Sequence, residues 1–518
     1  ARKRRPIASQ RLAVEQLDQR IVPTLTLNAL PSIDVATGTG TAGSLRYCIQ
    51  QANATSDNNI IINFKSGATY TLTISNFSLN AGNGFGQQEN GNLAGDLDIY
   101  DKGRVPGIKT YTFVGNGATI SQEAQDRIMQ IIGNDVKVIF QDLTFTGGQA
   151  VDDGTAVLPG TADGKGGAIL NSGGADMSFT NCVLTNNTAF GPVGIDGPAG
   201  LPGGSGGPGG DGAPGVDQGN KTGPGVDGSD GSAGGSGSSG SAGSDGVRAG
   251  NAFGGALYIA AGNVTIRGTT IKNNQALGGK GGDGGDGGSG GDGGSGGNGG
   301  AGGNGGVSQG IGGDGGNGGA GGDGGDGGDG GNGADGGNAF GGGIYAKSGT
   351  ITIDQGSNLS QNSALGGAGG SGGRGGDGGN AGRGGGGAQG GSGGKNSNGG
   401  NGGKGGDAGA SGTPGKGGDA GNAGVGEGGA VFVAGGTLKF AFPQSSARTS
   451  LLAAMGVRGA MAPRGATAPT AARAARVVRA AAVGRPASMG PPDPTRRRKP
   501  VGMVVRLGMG ASRLAAGW

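Results

Sequence analysis

A pair of glycines returns about every 87 residues, at Gly166, Gly254, Gly341 and Gly428, and each pair sits at the same place in a recurring stretch. Residues 251–278 read NAFGGALYIAAGNVTIRGTTIKNNQALG, and residues 338–366 read NAFGGGIYAKSGTITIDQGSNLSQNSALG. Residues 165–191 (KGGAILNSGGADMSFTNCVLTNNTAFG) are a looser copy, and residues 427–440 (EGGAVFVAGGTLKF) are the first half of a fourth. A fixed period constrains the fold strongly, because each copy must be one supersecondary unit that buries its apolar side only against its neighbours.

Each copy contains short apolar runs such as Ala256-Leu257-Tyr258-Ile259 and Val264-Thr265-Ile266. In the second of these the alternation is that of a strand with one buried face. The glycines and asparagines between runs suit corners where the chain passes through positive φ. Such coils, stacked so that each strand pairs with its equivalent above and below, predict an all-β right-handed parallel β-helix. Asn273-Asn274, Asn186-Asn187 and Asn362 are expected to cap corners and to bond the neighbouring coil, as asparagine ladders do. The central test is whether Leu257, Ile344 and Val431 share one column.

Ahead of the repeats, AGSLRYCIQQANA (residues 42–54) places Leu45, Cys48, Ile49 and Ala52 on one helical face, with Ser44 as N-cap. An amphipathic helix there would plug an open solenoid end. Strand-like IIINF and YTLTI follow.

The segment AGSLRYCIQQANA with IIINF resembles the opening "GSLR-AI--AN" segment of bacterial surface β-helix proteins. GDLDI at residues 95–99, Asp126-Arg127, and DLTFTGG at residues 142–148 continue that template in order. The GGA-[I/L] and N-x-A pairs of the later copies resemble the GGAI and FxxN repeats of chlamydial polymorphic outer-membrane proteins, although Leu184 and Ile271 stand where the phenylalanine would be. RLAVEQLDQRIVPT near the start is similar to the N-terminal segment of large surface or secreted proteins of planctomycete-type bacteria. The resemblance implies a pectin-lyase-like solenoid at the cell surface and names no active site.

Three inserts of about 60 residues separate the copies: 192–250, 279–337 and 367–426. The first opens with collagen-like Gly-X-Y spacing; the others are mostly Gly-Gly-X with Asp, Asn, Ser, Ala or Lys as X. A collagen triple helix needs sustained Gly-X-Y and rich proline, so a long one is excluded. Two readings remain. Such composition gives little to offset the backbone entropy of ordering, which favours disorder. Alternatively, three-residue periodicity leaves glycine faces free for polyglycine-II-like strands to pack side by side, reaching roughly 90 Å out at about 3.1 Å per residue. The Asp-Gly-Gly runs around Asp283–Asp292 lack the apolar residue that calcium-binding β-rolls require, and G-x-G-x-x-G recurs in the inserts by composition alone.

The organisation predicted is 1–32, a basic targeting-like segment; 33–190, helix cap and first coils; 191–250, insert 1; 251–278, a coil; 279–337, insert 2; 338–366, a coil; 367–426, insert 3; 427–441, a partial coil; and 442–518, a basic low-complexity tail. The first 20 residues carry six Arg or Lys, and residues 441–518 carry thirteen basic residues against one acid, Asp493. The stretch between is acidic and would repel nucleic acid. Five of seven methionines fall in the tail, each followed by Gly, Ala or Val. That is what Asp-Gly codons give when read one base late, so Ser446–Trp518 is read as a frame-shifted continuation of a further insert. The basic run Arg496-Arg497-Arg498-Lys499 has no interleaved aromatics to make a nucleic-acid patch. The missing initiator Met is expected to reflect a true start upstream.

The chain has no histidine, which excludes Ser-His-Asp and Cys-His catalysis and histidine-ligated metals. Cys48 and Cys182 are too few for a disulfide framework and are expected to be buried thiols. No catalytic, cofactor-binding or metal-ligating residue is assigned, no cofactor is expected, and no stretch is long enough to span a membrane. The expected function is that of a non-catalytic structural or adhesive protein, extracellular or at the cell surface. Its partners would be surface polysaccharide or other surface proteins, not nucleic acid. The alternative is a polysaccharide lyase or hydrolase using Asp96, Asp98 and Asp101, the only clustered carboxylates near a strand. A decayed gene product is the third reading, and follows from the tail.

Overall fold

The computed structural model describes residues 24–75, 90–101, 107–155, 162–354, 356–441 and the strand Met503–Val505. The described chain is nearly all β, with one α-helix, Leu45–Ala54. Its strands form four sheets, and all pairings but two are parallel. The largest sheet runs Thr24–Ala29, Asn59–Phe64, Lys109–Gln122, Val136–Thr146, Asp176–Thr180, Asn263–Arg267, Thr350–Asp354, Thr437–Ala441 in space as in sequence. Thr24–Ala29 lies inside the segment 1–32 that the sequence reading set apart, and pairs directly with Asn59–Phe64. The basic tail lies outside the described residues except for Met503–Val505, which runs antiparallel to Thr437–Ala441.

The repeats stack in register. Ile169 pairs with Leu257, Leu257 with Ile344, and Ile344 with Val431, so the four residues form one column. A second column runs Val138, Met177, Val264, Ile351, Leu438, and all five are buried. Where side chains must fill more space, Phe113, Phe140 and Phe179 stack at 5.1 and 5.0 Å between centroids. Two thin sheets, one through Thr188–Phe190 and one through Ala252–Phe253, enclose a separate core of Ala150, Ala189, Ala252, Ala276 and Ala339. Alanine fits there because the backbones approach closely. The glycine pairs explain themselves at this corner. Gly166, Gly254 and Gly341 have φ of +67°, +68° and +65°, the left-handed region, while a Cβ on Gly167 or Gly255 would overlap the carbonyl of the next coil. The asparagine ladder is present: Asn187 Nδ2 donates to Asn274 Oδ1 at 2.9 Å, and Asn274 Nδ2 to Asn362 Oδ1 at 2.9 Å. Asn186 and Asn273 precede it with positive φ.

The inserts are ordered. Each runs outward and returns, giving six extended arms: 191–216 and 225–250, 279–306 and 310–337, 367–394 and 400–424. The outgoing arms lie side by side in one layer and the returning arms in a second. Hydrogen bonds recur every third residue, the repeat of a three-fold extended helix. In the middle insert both glycine N–H groups of each triplet are bonded, and in several triplets the third is bonded too. Gly284 N–H donates to Ser371 O (2.8 Å) in the same layer, and Gly285 N–H donates to Ser244 O (2.9 Å) in the other layer. The third position uses a side chain: Asp283 N–H donates to Asp196 Oδ1 at 2.8 Å, and Ser371 N–H to Asp283 Oδ1 at 2.7 Å. The same rung is built by Asp211, Asn298 and Gly386, and by Asp230, Asn317 and Lys404. Asp and Asn recur as X because a short side-chain oxygen caps the one backbone donor per triplet that the strand packing leaves over.

Glycine spacing reports each arm's place in the bundle. The first glycine of a triplet faces the other layer and the second faces the preceding insert; a Cβ on Gly315 would overlap Ala388 O, and one on Gly316 would overlap Ser229 O. The first insert has no insert before it, and only one glycine per triplet is required there; the other position is glycine at Gly204, Gly207, Gly210 and Gly235 and a larger residue elsewhere. Both arms of the second insert and the outgoing arm of the third need both. The final arm again requires one, and a Cβ on its other glycines Gly402, Gly405 and Gly417 would meet nothing closer than 3.5 Å. The change from Gly-X-Y to Gly-Gly-X is thus a packing requirement.

Two tests follow from these contacts. Gly316→Ala is expected to destabilise the bundle by about 1–3 kcal/mol and open the arms to limited proteolysis. Gly402→Ala, whose Cβ would sit 3.5 Å from Ala388 O in ordinary contact, should leave digestion unchanged. Second, the backbone N–H of Thr413 holds the Asp326 carboxyl below its ordinary pKa, and that of Asn422 does the same for Asp335. A depressed folded pKa gives stability that is present above the ordinary value and lost as pH falls through the folded one. Acidification below the ordinary Asp value of 3.8 should loosen the arms, read as faster proteolysis by an acid protease.

Candidate functional site

The carboxylates singled out from the sequence lie beneath the helix, and the structure surrounds them with cations. Ser44 caps the helix by accepting the Tyr47 N–H at 3.2 Å. Its stripe of Leu45, Cys48, Ile49 and Ala52 packs into the core, which leaves Arg46 and Asn53 pointing at the GDLDI stretch. Arg46 makes a two-pronged ion pair with Asp34 (2.8 and 3.2 Å) and donates to the carbonyls of Ala94, Gly95 and Asp96. Asp34 also accepts the N–H groups of Thr73 and Ile74, at 2.7 and 3.0 Å. Asn53 and Asn92 both donate to Asp98 O.

Asp96 Oδ2 lies 3.3 Å from Arg127 Nη1, and Arg127 Nη2 bonds the Asp152 carboxylate. Asp126 accepts the Arg127 N–H at 2.7 Å. Asp101 pairs with Lys109 at 3.4 Å, and Lys109 also donates to Asn53 O and Thr55 O. Arg46, Arg127, Lys109, Asp96, Asp98 and Asp126 are all buried. Burial pushes the Asp126 carboxyl well above the usual carboxylate range, and the nearby Asp96 charge adds to the effect. Burial works against the Arg127 charge, but Asp152, Asp96 and Asp126 outweigh it and raise its pKa.

Two features of the assembled cluster could not be read from Asp96, Asp98 and Asp101 alone. Arg46, Arg127 and Lys109 do accompany GDLDI, although they come from segments up to 50 residues away. And Asp96 and Asp98 do not stand on an exposed face: both are 0% exposed, out of reach of a polymer. The arrangement fastens the helix to the first strands. Asp126-Arg127 directly ahead of an apolar strand was the sequence signal available for it.

Elsewhere, Tyr258, Tyr345 and Phe432 stack in a column at 5.2 and 5.7 Å, beside Phe253 and Phe340 at 5.5 Å. Their ring faces cover one another, so the column is a minor apolar core (with Leu170) and leaves no row of free faces for sugar rings. Among the described residues no three His, Cys, Asp or Glu are grouped as metal ligands, and no helix is long and apolar enough to cross a membrane. The Asp-Gly-Gly carboxylates instead accept backbone N–H groups. Arg496–Lys499 lie outside the described residues.

No protein-family model matches this chain, and no curated protein does. Among solved structures, it is similar to pectate lyase Pel9A at 12% identity and a TM-score of 0.19, over 49% of this chain and 55% of that one. The match thus spans little more than half of that enzyme. A nine-helix polyproline type II bundle, the antifreeze protein of the springtail Granisotoma rainieri, matches at 27% identity and a TM-score of 0.06. That match covers 38% of this chain and 97% of the other. At these TM-scores neither likeness bears on activity.

Removing the guanidinium in Arg127→Leu leaves Asp96 and Asp152 uncompensated and should cost about 3–5 kcal/mol in chemical denaturation. Asp126 carries the opposite pH signature to the arm aspartates. Its raised folded pKa gives stability that is complete below the ordinary Asp value and lost as pH rises through the folded one. Asp126→Asn should flatten that part of the stability-against-pH curve. Burial also raises both thiols to a pKa of about 11, so Cys48 and Cys182 should resist a thiol reagent until the chain unfolds.

Proposed function

We infer that the chain is a non-catalytic structural or adhesive protein of the cell surface or secreted space. In this reading the stacked coils wind as a right-handed parallel β-helix that serves as a shaft, and the glycine arms form a blade projecting from one side. The observation that carries the reading is the six-arm bundle. Three inserts hydrogen-bond at every triplet into a continuous two-layer bundle whose exposed positions are mostly Asp, Asn, Ser, Lys and Arg in the second and third inserts, with Val, Ile and Leu exposed on the first. A blade of this kind supports contact over a long, regular polar face, which suits surface polysaccharide or a neighbouring surface protein better than a small substrate. Burial of Asp96, Asp98 and Lys109 weighs against the polysaccharide-cleaving alternative.

The test uses the full chain and a version whose three inserts are replaced by short Gly-Asn turns. Saturable binding to purified bacterial surface polysaccharide is expected for the full chain and not for the shortened one, with no release of reducing ends by either. Release of reducing ends that disappears in Asp96→Asn, with the far-ultraviolet spectrum unchanged, would sink the reading in favour of the enzyme.

A further inference from the structure

The two long edges of the bundle carry complementary unpaired backbone groups. On the third insert, the N–H groups of Gly369, Gly372 and Gly375 face outward and have no partner among the described residues; their counterparts Gly281, Gly284 and Gly287 donate to the next insert at 2.9, 2.8 and 2.7 Å. On the first insert, the carbonyls of Asp196, Ala199 and Pro202 accept nothing, whereas the equivalent Asp283, Asp286 and Ser289 each accept an N–H from the first insert. One edge is a row of donors and the other a row of acceptors. Glycine arms here pair both parallel, within a layer, and antiparallel, across layers. A second copy could therefore lay its acceptor edge on the donor edge with the two shafts at opposite ends. Unpaired edges of this kind template further association unless something blocks them.

We propose that side chains on two edge rows keep the bundle of a second copy from docking edge to edge. On the acceptor edge the row that faces the preceding insert in every other arm carries Ile195, Pro198 and Leu201 near the base and Val216 near the tip, with Gly204, Gly207 and Gly210 between them. In the second insert these positions are Gly282, Gly285, Gly288 and Gly303, where a Cβ would overlap the neighbouring backbone. Ile195 and Leu201 are 71% and 74% exposed, so they fill the space an incoming arm would need. Beside them, Ser229, Ser232, Ser238 and Ser241 occupy the same row of the returning arm. Their hydroxyls accept the N–H groups of Ala213, Gly210, Gly204 and Leu201, each at 2.7 Å, supplying the bonds that a missing arm would have made. On the donor edge the row that must be glycine to receive another outgoing arm carries Ala408, Ser411, Pro414, Ala420 and Ala423, and is glycine only at Gly402, Gly405 and Gly417 over the same length. The interior rows depart from glycine only at Ala249, Ala334, Ala381 and Ala388, never twice in succession. Pro414 in addition has no N–H to give.

The experiment opens each edge separately. A donor-edge variant carries Ala408→Gly, Ser411→Gly, Pro414→Gly, Ala420→Gly and Ala423→Gly. An acceptor-edge variant carries glycine at Ile195, Pro198, Leu201, Val216 and the four serines. In sedimentation, wild type and each variant alone are expected to show no association through the bundle, and the mixture of the two variants to double in mass. A mixture that does not associate, with both variants still resistant to protease, overturns the proposal. Hydrogen exchange on wild type decides the matter if a variant fails to fold. The amides of Gly369, Gly372 and Gly375 should exchange freely beside protected Gly281, Gly284 and Gly287. Equal protection would mean the edge is already occupied, and would overturn it too.

Discussion

Everything in this chain depends on one spacing being shared by two kinds of secondary structure. Parallel strands stack about 4.8 Å apart, and the glycine arms are joined by the same N–H···O=C bond between adjacent backbones. An arm that leaves the shaft from a given corner therefore meets its neighbour at hydrogen-bonding distance along its whole length. The 87-residue repeat is the covalent expression of that match: Asn187 to Asn274 in the shaft and Asp230 to Asn317 in the blade are bonded at the same sequence separation.

The blade is held by backbone, not by apolar burial. Its interior contains Cα hydrogens and carbonyls, so ordering sixty glycine-rich residues per insert must be offset by hydrogen bonds that leave almost no interior donor unused. The Asp and Asn rungs belong to that ledger of donors. They look like ligand positions in the sequence and act as caps in the structure. The shaft works by the opposite rule, with columns of Val, Ile, Phe and Met excluding water and glycine reserved for corners. The two parts of the molecule are held by different forces.

The charged cluster under the helix has a third role. Arg46 ties the helix to the loop at Asp34, and Arg127 joins Asp96 to Asp152 beside it. Buried ion networks of this kind hold a unique arrangement because any partner removed leaves a charge stranded. Clustered carboxylates beside a strand are therefore a poor indicator of catalysis until their exposure is known.

Much of the shaft was legible in the sequence. The period, the column of Leu257, Ile344 and Val431, the helix with its Ser44 cap and the asparagine ladder all follow from local patterns that repeat, and repetition fixes register without reference to anything distant. The sequence also required glycine at every third residue of the inserts. What it left open was whether those glycines serve disorder or close packing, because composition is the same for both. Only the tertiary structure decided that, by placing three inserts side by side where the glycine N–H groups between neighbouring arms find carbonyls and Asx oxygens take up further donors. It also decided the fate of Asp96 and Asp98, since their partners Arg46 and Arg127 come from other segments and burial belongs to the assembled fold.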